Sequence, residues 1–440
     1  MDKRAFTFFE ILERRLDGEG PLGVAVSGGG DSLALLYRLA QWRRRPLHVF
    51  CVDHGLNPDS AYWTRTVADH ARRVGAAFTP LNWVGPKPAS GLSAAARHAR
   101  HALLGDAARA AGVRVLCLAH THDDILEAAW MRDHGSNVTA PAEWSPSPAW
   151  PRGRGVFLLR PLLGQRREHL RDELRARKVE WIDDPANANP QSLRVRARHA
   201  EKTEPLPIES AVELAAVSPA QLAGLLDRQW GGEGLIALRR SAFADLPPLV
   251  ARKVLSAAAV CAGGADRLPR GDSLDALLAG LATGKPRTLC GARVWQAGDR
   301  IFAIREAGDI GRDGTDELSF SAGVDTMWDG RFAIRAATAG TIRPSGRMRG
   351  RLCEADRALL RRLPAFLRGI LPVFDDNLPG HCLSSARLLG QCMQTGVDCV
   401  DWVLPRFVAA CGAVDRESRI GPDLASPQEN CVAKTQTLPI

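Results

Sequence analysis

Leu22-Gly23-Val24-Ala25-Val26-Ser27-Gly28-Gly29-Gly30-Asp31-Ser32 is the stretch on which the reading of the fold turns. A short apolar run stops abruptly at three glycines. Ser32–Trp42 then places Leu33, Leu35, Leu36 and Leu39 at the spacing of one helix face. A strand that breaks into glycine and restarts as a helix is the turn of an α/β unit. Glycine lets the backbone turn sharply and brings its N–H groups close to an anion. The helix N-terminus that follows favours phosphate. Ser27 and Ser32 can donate hydroxyl hydrogen bonds to phosphate oxygens, and the Asp31 carboxylate can hold a Mg²⁺ that bridges them. The competing reading is a plain glycine-rich turn capped by Asp31 or Ser32. The loop lacks the Gly-Lys-Ser/Thr ending of a Walker A loop, and it is not the G-x-G-x-x-G of dinucleotide binders.

Outward from this turn the two periods keep alternating. Leu47–Val52, Phe78–Val84, Val113–Ala119 and Val156–Leu163 read as strands. Ser60–Val74 (N-cap Asp59 or Ser60), Ser93–Ala111, a segment opening at Asp123–Met131, and Gln165–Arg177 read as helices. The predicted fold class is α/β, a doubly wound, Rossmann-like parallel sheet. In such sheets ligands bind at the carboxyl ends of strands, here loops 27–32, 53–57 and 120–124. Residues 138–155 read as a surface loop and 183–206 as a domain exit. A helical middle domain is expected over 207–300 and a small C-terminal α+β domain over 301–386. Residues 387–440 form a tail without a clear period, and the first domain spans 1–200.

The 440 residues fit two to four domains. With 45% apolar and 24% charged residues the chain is neither collagen-like nor fully disordered. It has no apolar run of about 18 residues, so no membrane span is expected. Lys+Arg number 58 against 49 Asp+Glu, a net charge of +9, and only seven of the cations are lysine. That balance suits a polyanion such as nucleic acid, although a GC-rich genome would also raise arginine. The ten cysteines include no C-x-x-C pair and no zinc spacing, and residues 1–20 lack a signal-peptide core. A cytoplasmic location with reduced thiols is expected.

Three further constellations carry chemistry. Asp123, Asp124 and Glu127 fall at i, i+1 and i+4; 123 and 127 share a helix face, and 124 points about 100° away. They read either as a helix start with a solvated face, or as carboxylates that bind an ammonium or Mg²⁺. His54 and His120 each follow a strand and can line a pocket or simply pack. Arg97 with Arg100, three apart on one helix, and Arg194, Arg196 and Arg198 near the domain exit suit phosphate contacts, or a solvated basic face and a mobile basic linker.

Ser-Gly-Gly-x-Asp-Ser after a strand resembles the PP-loop of N-type ATP pyrophosphatases, which cleave ATP between the α- and β-phosphates and adenylate a carbonyl oxygen. An ordered series resembles the lysidine-forming branch of that family. It runs from Val52-Asp53-His54-Gly55-Leu56 through Gly91-Leu92-Ser93-Ala94-Ala95-Ala96-Arg97-His98-Ala99-Arg100 to Ala119-His120-Thr121-His122-Asp123-Asp124-Ile125-Leu126-Glu127. Leu159-Arg160-Pro161-Leu162-Leu163 and Trp181-Ile182-Asp183-Asp184-Pro185-Ala186-Asn187 follow, with Arg194 and Arg198 at the family spacing. Pro286-Arg287-Thr288-Leu289-Cys290-Gly291 and Trp328-Asp329-Gly330-Arg331-Phe332 are similar to its C-terminal half. The chain departs from that pattern at Ser93 (Glu in the family), His101 (Tyr), Val195 (Asn) and the altered 132–137 segment.

The resemblance implies ATP and Mg²⁺ on Ser27, Gly28, Gly29, Gly30, Asp31 and Ser32, with Asp31 as the metal ligand. It implies catalytic roles for Asp31, Asp53, His54, His120, Asp123, Asp124 and Glu127, and contacts to RNA from Arg97, Arg100, Arg160, Arg194 and Arg198. The implied partners are L-lysine and a tRNA(Ile) with a CAU anticodon, whose wobble cytidine becomes lysidine. A homodimer is among the assemblies to test. The competing expectations are a tRNA thiolase on the same scaffold and a non-catalytic tRNA-binding relic.

Overall fold

The computed structural model describes residues 7–136, 138–184, 193–203, 217–227, 234–269, 271–312, 317–348, 350, 352, 354–375, 384–385 and 397–421. They fall into two compact units. One comprises the described residues of 7–203 together with 414–420, and the other those of 217–413 with Gly421.

The first unit carries a six-stranded sheet. Its strands are β1 (Leu22–Ala25), β2 (Leu47–Asp53), β3 (Ala77–Asn82), β4 (Val115–Cys117), β5 (Trp144–Pro146) and β6 (Phe157–Leu159), in the order β3-β2-β1-β4-β6-β5. All neighbours are parallel except β5, which pairs antiparallel with β6 and closes that edge. The sequence reading of 138–155 as a surface loop is corrected here: Trp144, Ser145 and Pro146 pair with Leu159, Leu158 and Phe157. A strand of three residues is too short to show a period.

β1 is central, and the successive residues Leu22, Gly23 and Val24 are all buried, as expected of a strand covered on both faces. The helices are α1 (Phe8–Arg15), α2 (Gly30–Trp42), α3 (Ser60–Arg73), α4 (Leu92–Ala110), α5 (His122–Asp133), α6 (Arg167–Ala176) and α7 (Leu193–Thr203). Leu33, Leu35, Leu36 and Leu39 of α2 are all buried, and each contributes about 1.5–3 kcal/mol by leaving water. The chain order reverses between β1 and β4, so the loops after these two strands flank the crevice where doubly wound sheets bind ligands.

Segment 414–420 joins this unit although it lies more than 200 residues downstream. The Trp144 indole N–H donates to the Val414 carbonyl at 2.8 Å, and Gly18 N–H to the Glu417 carboxylate at 3.1 Å. Arg45 and Glu417 form a buried ion pair, with side chains 5% and 3% exposed.

In the second unit β7 (Leu235–Arg239), β8 (Arg287–Leu289), β9 (Ala292–Ala297) and β10 (Arg300–Arg305) form an antiparallel sheet in the order β7-β10-β9-β8. The helix Pro248–Gly263 buries Val254, Leu255 and Cys261 in one core with Ile236, Leu238 and Ile301. The reading of 207–300 as a helical domain is corrected at Leu235–Arg239, a strand within it that pairs with Arg300–Ile304; the strands from 287 onward agree with the alternation in Arg293–Ile304. A second core gathers Trp328, Phe332, Ile334 and Phe374. Asp329 and Gly330 have φ of +50° and +62°, and a Cβ on Gly330 would lie 2.2 Å from the Gly264 carbonyl. The Trp-Asp-Gly-Arg-Phe motif is therefore a tight turn pressed against a neighbouring chain segment. The expectation of a period-free tail from 387 is also corrected: Val397–Asp401 pairs with Phe332–Ala336, and Val403–Ala410 is a helix. Residues 387–396 and 422–440 lie outside the described residues.

Candidate active site

The glycine loop is shaped by its own hydroxyls. Ser32 Oγ donates to the Gly29 carbonyl at 2.8 Å and accepts from Ser27 N–H at 3.2 Å. Gly28 has φ +86°, and a Cβ there would lie 2.5 Å from Ile182 Cδ1. Ile182 N–H donates to the Gly28 carbonyl at 2.9 Å, so the Trp181-Ile182 segment lies on the loop. Pro185, Ala186 and Asn187 are outside the described residues. Gly29 caps α2, and Asp31 sits in its first turn. Burial raises the Asp31 carboxyl above the ordinary carboxylate range, against the pull of Arg167. Its Oδ1 is buried without a hydrogen-bond partner.

α5 begins with a reciprocal cap. Thr121 N–H and Oγ1 both donate to Asp124 Oδ2, at 2.8 and 3.0 Å. The two readings of the acids merge here, because Asp124 caps its helix and also faces a charge cluster. Burial disfavours its ionisation, but Arg194 outweighs that and holds the carboxyl low. Arg194 Nε donates to Glu127 Oε2 at 2.6 Å and its Nη2 bonds Asp124. Arg198 Nε donates to Glu127 Oε1 at 2.7 Å. The carboxylates that share an arginine of α7 are thus 124 and 127, at i and i+3, and not 123 and 127. Asp123 instead accepts from Arg167 N–H at 2.8 Å and pairs with Arg166 at 3.1 Å. Arg194 and Arg198, read as RNA contacts, lie on the acids.

Arg167 escaped the sequence reading. Its Nε donates to Asp31 at 3.0 Å and its Nη1 to Glu127 at 3.1 Å, and its Nη2 lies 3.7 Å from Asp124. Burial opposes its charge, but Asp31 and Glu127 outweigh it and raise its pKa. The available signal was its place at the start of an arginine-rich helix, which reads equally as a solvated face.

The remaining predicted residues divide. His120 follows β4; burial and then Arg160 depress its pKa to about 3. Arg160 Nε donates to His120 Nδ1 at 3.2 Å, so the ring is neutral with its proton on Nε2. Arg160 is buried, and its Nη1 also donates to the Ala142 carbonyl and Ser145. On α4, Arg97 is exposed, while burial and then Arg97 lower Arg100 to about 10. His101 is buried, and burial and then Arg100 depress it to about 3. His54 is lowered by burial and then by Arg100, and its Nδ1 has no partner. Asp53 is engaged in the turn after β2, accepting from Gly55 N–H at 2.7 Å and Ser60 Oγ at 3.0 Å. Burial pushes the Cys51 thiol up to about 11 and raises Cys117 as well, so both stay protonated.

A family model described as a PP-loop domain matches residues 4–202. The chain is 40% identical over 420 residues to the tRNA(Ile)-lysidine synthase of Caulobacter vibrioides, covering 92% of this chain and 97% of that protein. It is 34% identical over 344 residues to that of Rhizobium meliloti, covering 71% and 72%. It is also 34% identical to that of Ruegeria pomeroyi, covering 76% and 81%. Among solved structures, the U34-tRNA thiolase of Methanococcus maripaludis aligns at 16% identity and TM-score 0.38, over 45% of this chain and 73% of that one. A glycine loop and an acid helix meet across the β1/β4 crevice of a PP-loop sheet, and the three relatives match 71–92% of the chain; the chain belongs to the tRNA(Ile)-lysidine synthase family.

Proposed function

We propose that this protein ligates L-lysine to C2 of the wobble cytidine of a tRNA(Ile) with a CAU anticodon, consuming ATP. The cytidine C2 carbonyl oxygen attacks the α-phosphorus and pyrophosphate leaves. The lysine ε-amine then attacks C2 and expels that oxygen with AMP, leaving lysidine. The observation that carries this reading is the junction of two half-sites of unlike chemistry. A glycine loop that suits phosphate stands beside Asp124 and Glu127, which suit an ammonium.

Each residue has a task that follows from its surroundings. The N–H groups at the start of α2 and the exposed Ser27 hydroxyl bind the triphosphate, while the Ser32 hydroxyl holds the loop in shape. The orphaned Asp31 Oδ1 suits Mg²⁺, which when bound would neutralise the departing pyrophosphate. The depressed His120 is neutral near pH 7 and serves as a hydrogen-bond donor rather than an acid. The lysine ε-ammonium must lose a proton before it attacks, since its free pKa is about 10.4. The carboxylates of Asp124 and Glu127 orient the ammonium, and because Arg194 holds Asp124 low the proton leaves to solvent. Exposed Arg97 and Arg196 suit tRNA phosphates. The 217–413 unit is assigned the rest of the tRNA, including the acceptor stem.

The test is direct. Purified protein, ATP, isotopically labelled lysine and a tRNA(Ile) bearing CAU should give labelled tRNA. ATP turnover without label, or sulfur in the tRNA when a donor is supplied, would contradict the proposal.

A further inference from the structure

Two carboxylate-bearing elements meet through one side chain. Asp31 belongs to the nucleotide loop and Glu127 to the acid helix, and the Arg167 guanidinium donates to both, at 3.0 and 3.1 Å. Its backbone N–H, free at the first position of α6, donates to Asp123 at 2.8 Å. The three arginines on Glu127 are not alike. The Arg167 side chain is 17% exposed, against 41% for Arg194 and 29% for Arg198. Glu127 keeps two further arginines when Arg167 is removed, whereas Arg167 is the ion-pair partner the structure gives Asp31.

We propose that Arg167 is a positioning residue that sets the distance between the nucleotide half-site and the amine half-site; this rests on the lysine-ligating reading above. A planar fork spans two carboxylates from separate elements at a fixed spread while bonding each. An ammonium offers three donors from a single point and does not fix that spread. Without the fork, Asp31 loses its ion-pair partner and its tie to Glu127, and the loop that presents the α-phosphorus loses its register with the acids that present the amine. Both chemical steps need that register, because the C2 oxygen of one base must meet the phosphorus first and C2 itself must meet the amine second. Arg167 takes no proton and touches no reacting atom.

The experiment uses the full-length protein and the variants Arg167→Lys, Arg167→Gln and Arg167→Ala, each checked by thermal unfolding. Arg167→Lys keeps the charge and is expected to unfold near the wild-type temperature. It should nonetheless lose about 100-fold in kcat for tRNA-dependent pyrophosphate release, the scale of a misplacement of about 1 Å. The lysine KM of Arg167→Gln should rise about tenfold, on the scale of one lost charge-assisted hydrogen bond. The tRNA Kd should stay unchanged. Guanidinium ion, well below denaturing concentration, should recover activity in Arg167→Ala. Wild-type kcat and KM in Arg167→Lys would overturn the proposal, as would activity loss that tracks only lowered stability and is not rescued by guanidinium. A wild-type protein that fails to attach lysine would instead overturn the underlying reading.

Discussion

Within the glycine loop, Gly28 is the position where the backbone leaves least choice. Its φ of +86° and the 2.5 Å approach of Ile182 to any Cβ exclude other side chains without movement. Gly28→Ala should therefore destabilise the protein by about 1–3 kcal/mol and raise the ATP KM, read by denaturant unfolding and initial rates. His101 gives a second residue-scale test. Its folded pKa of about 3 lies below its ordinary 6.5, so folding favours the neutral ring. The stability this brings is present above pH 6.5 and is lost as pH falls from there towards 3. In that window the slope is up to about 1.4 kcal/mol per pH unit. Urea unfolding at pH 7 and pH 5 should show a smaller acid loss in His101→Phe than in wild type. An equal loss would mean that His101 does not titrate in this way.

At the scale of elements, the strand–glycine–helix turn was legible because its signals are local: an apolar run, three glycines, then leucines at helical spacing. The start of α5 was legible for the same reason. Arg167 was not, because its role consists of contacts to residues 31 and 127, and neither propensity nor period encodes them. The strand Val397–Asp401 was hidden likewise: five residues are too few for a period, and its partner Phe332–Ala336 lies more than 60 residues upstream. Segment 414–420 depends on burial against the first unit. Glu417→Ala would leave Arg45 buried and unpaired, which costs about 3–5 kcal/mol. Chemical denaturation should show that loss, and a change under about 1 kcal/mol would mean that the ion pair is dispensable.

At the scale of the whole molecule, the arginine excess divides by environment. Arg167, Arg194 and Arg198 neutralise carboxylates inside the site, whereas Arg97 and Arg196 face solvent. Net charge alone could not separate these groups. Arg196→Ala should reduce the slope of log tRNA affinity against log salt by about one, while Arg194→Ala should leave it nearly unchanged. Filter binding across a salt series decides between them. In the proposed reaction the loop at 27–32 delivers the α-phosphorus of ATP to an anticodon base. The most direct measurement supplies ATP labelled at that phosphorus, tRNA(Ile) and no lysine, and asks where the label goes. AMP should appear on the wobble cytidine with wild-type protein and not with Asp31→Asn. Label that never reaches the tRNA, or reaches it equally in both proteins, would contradict the proposed reaction.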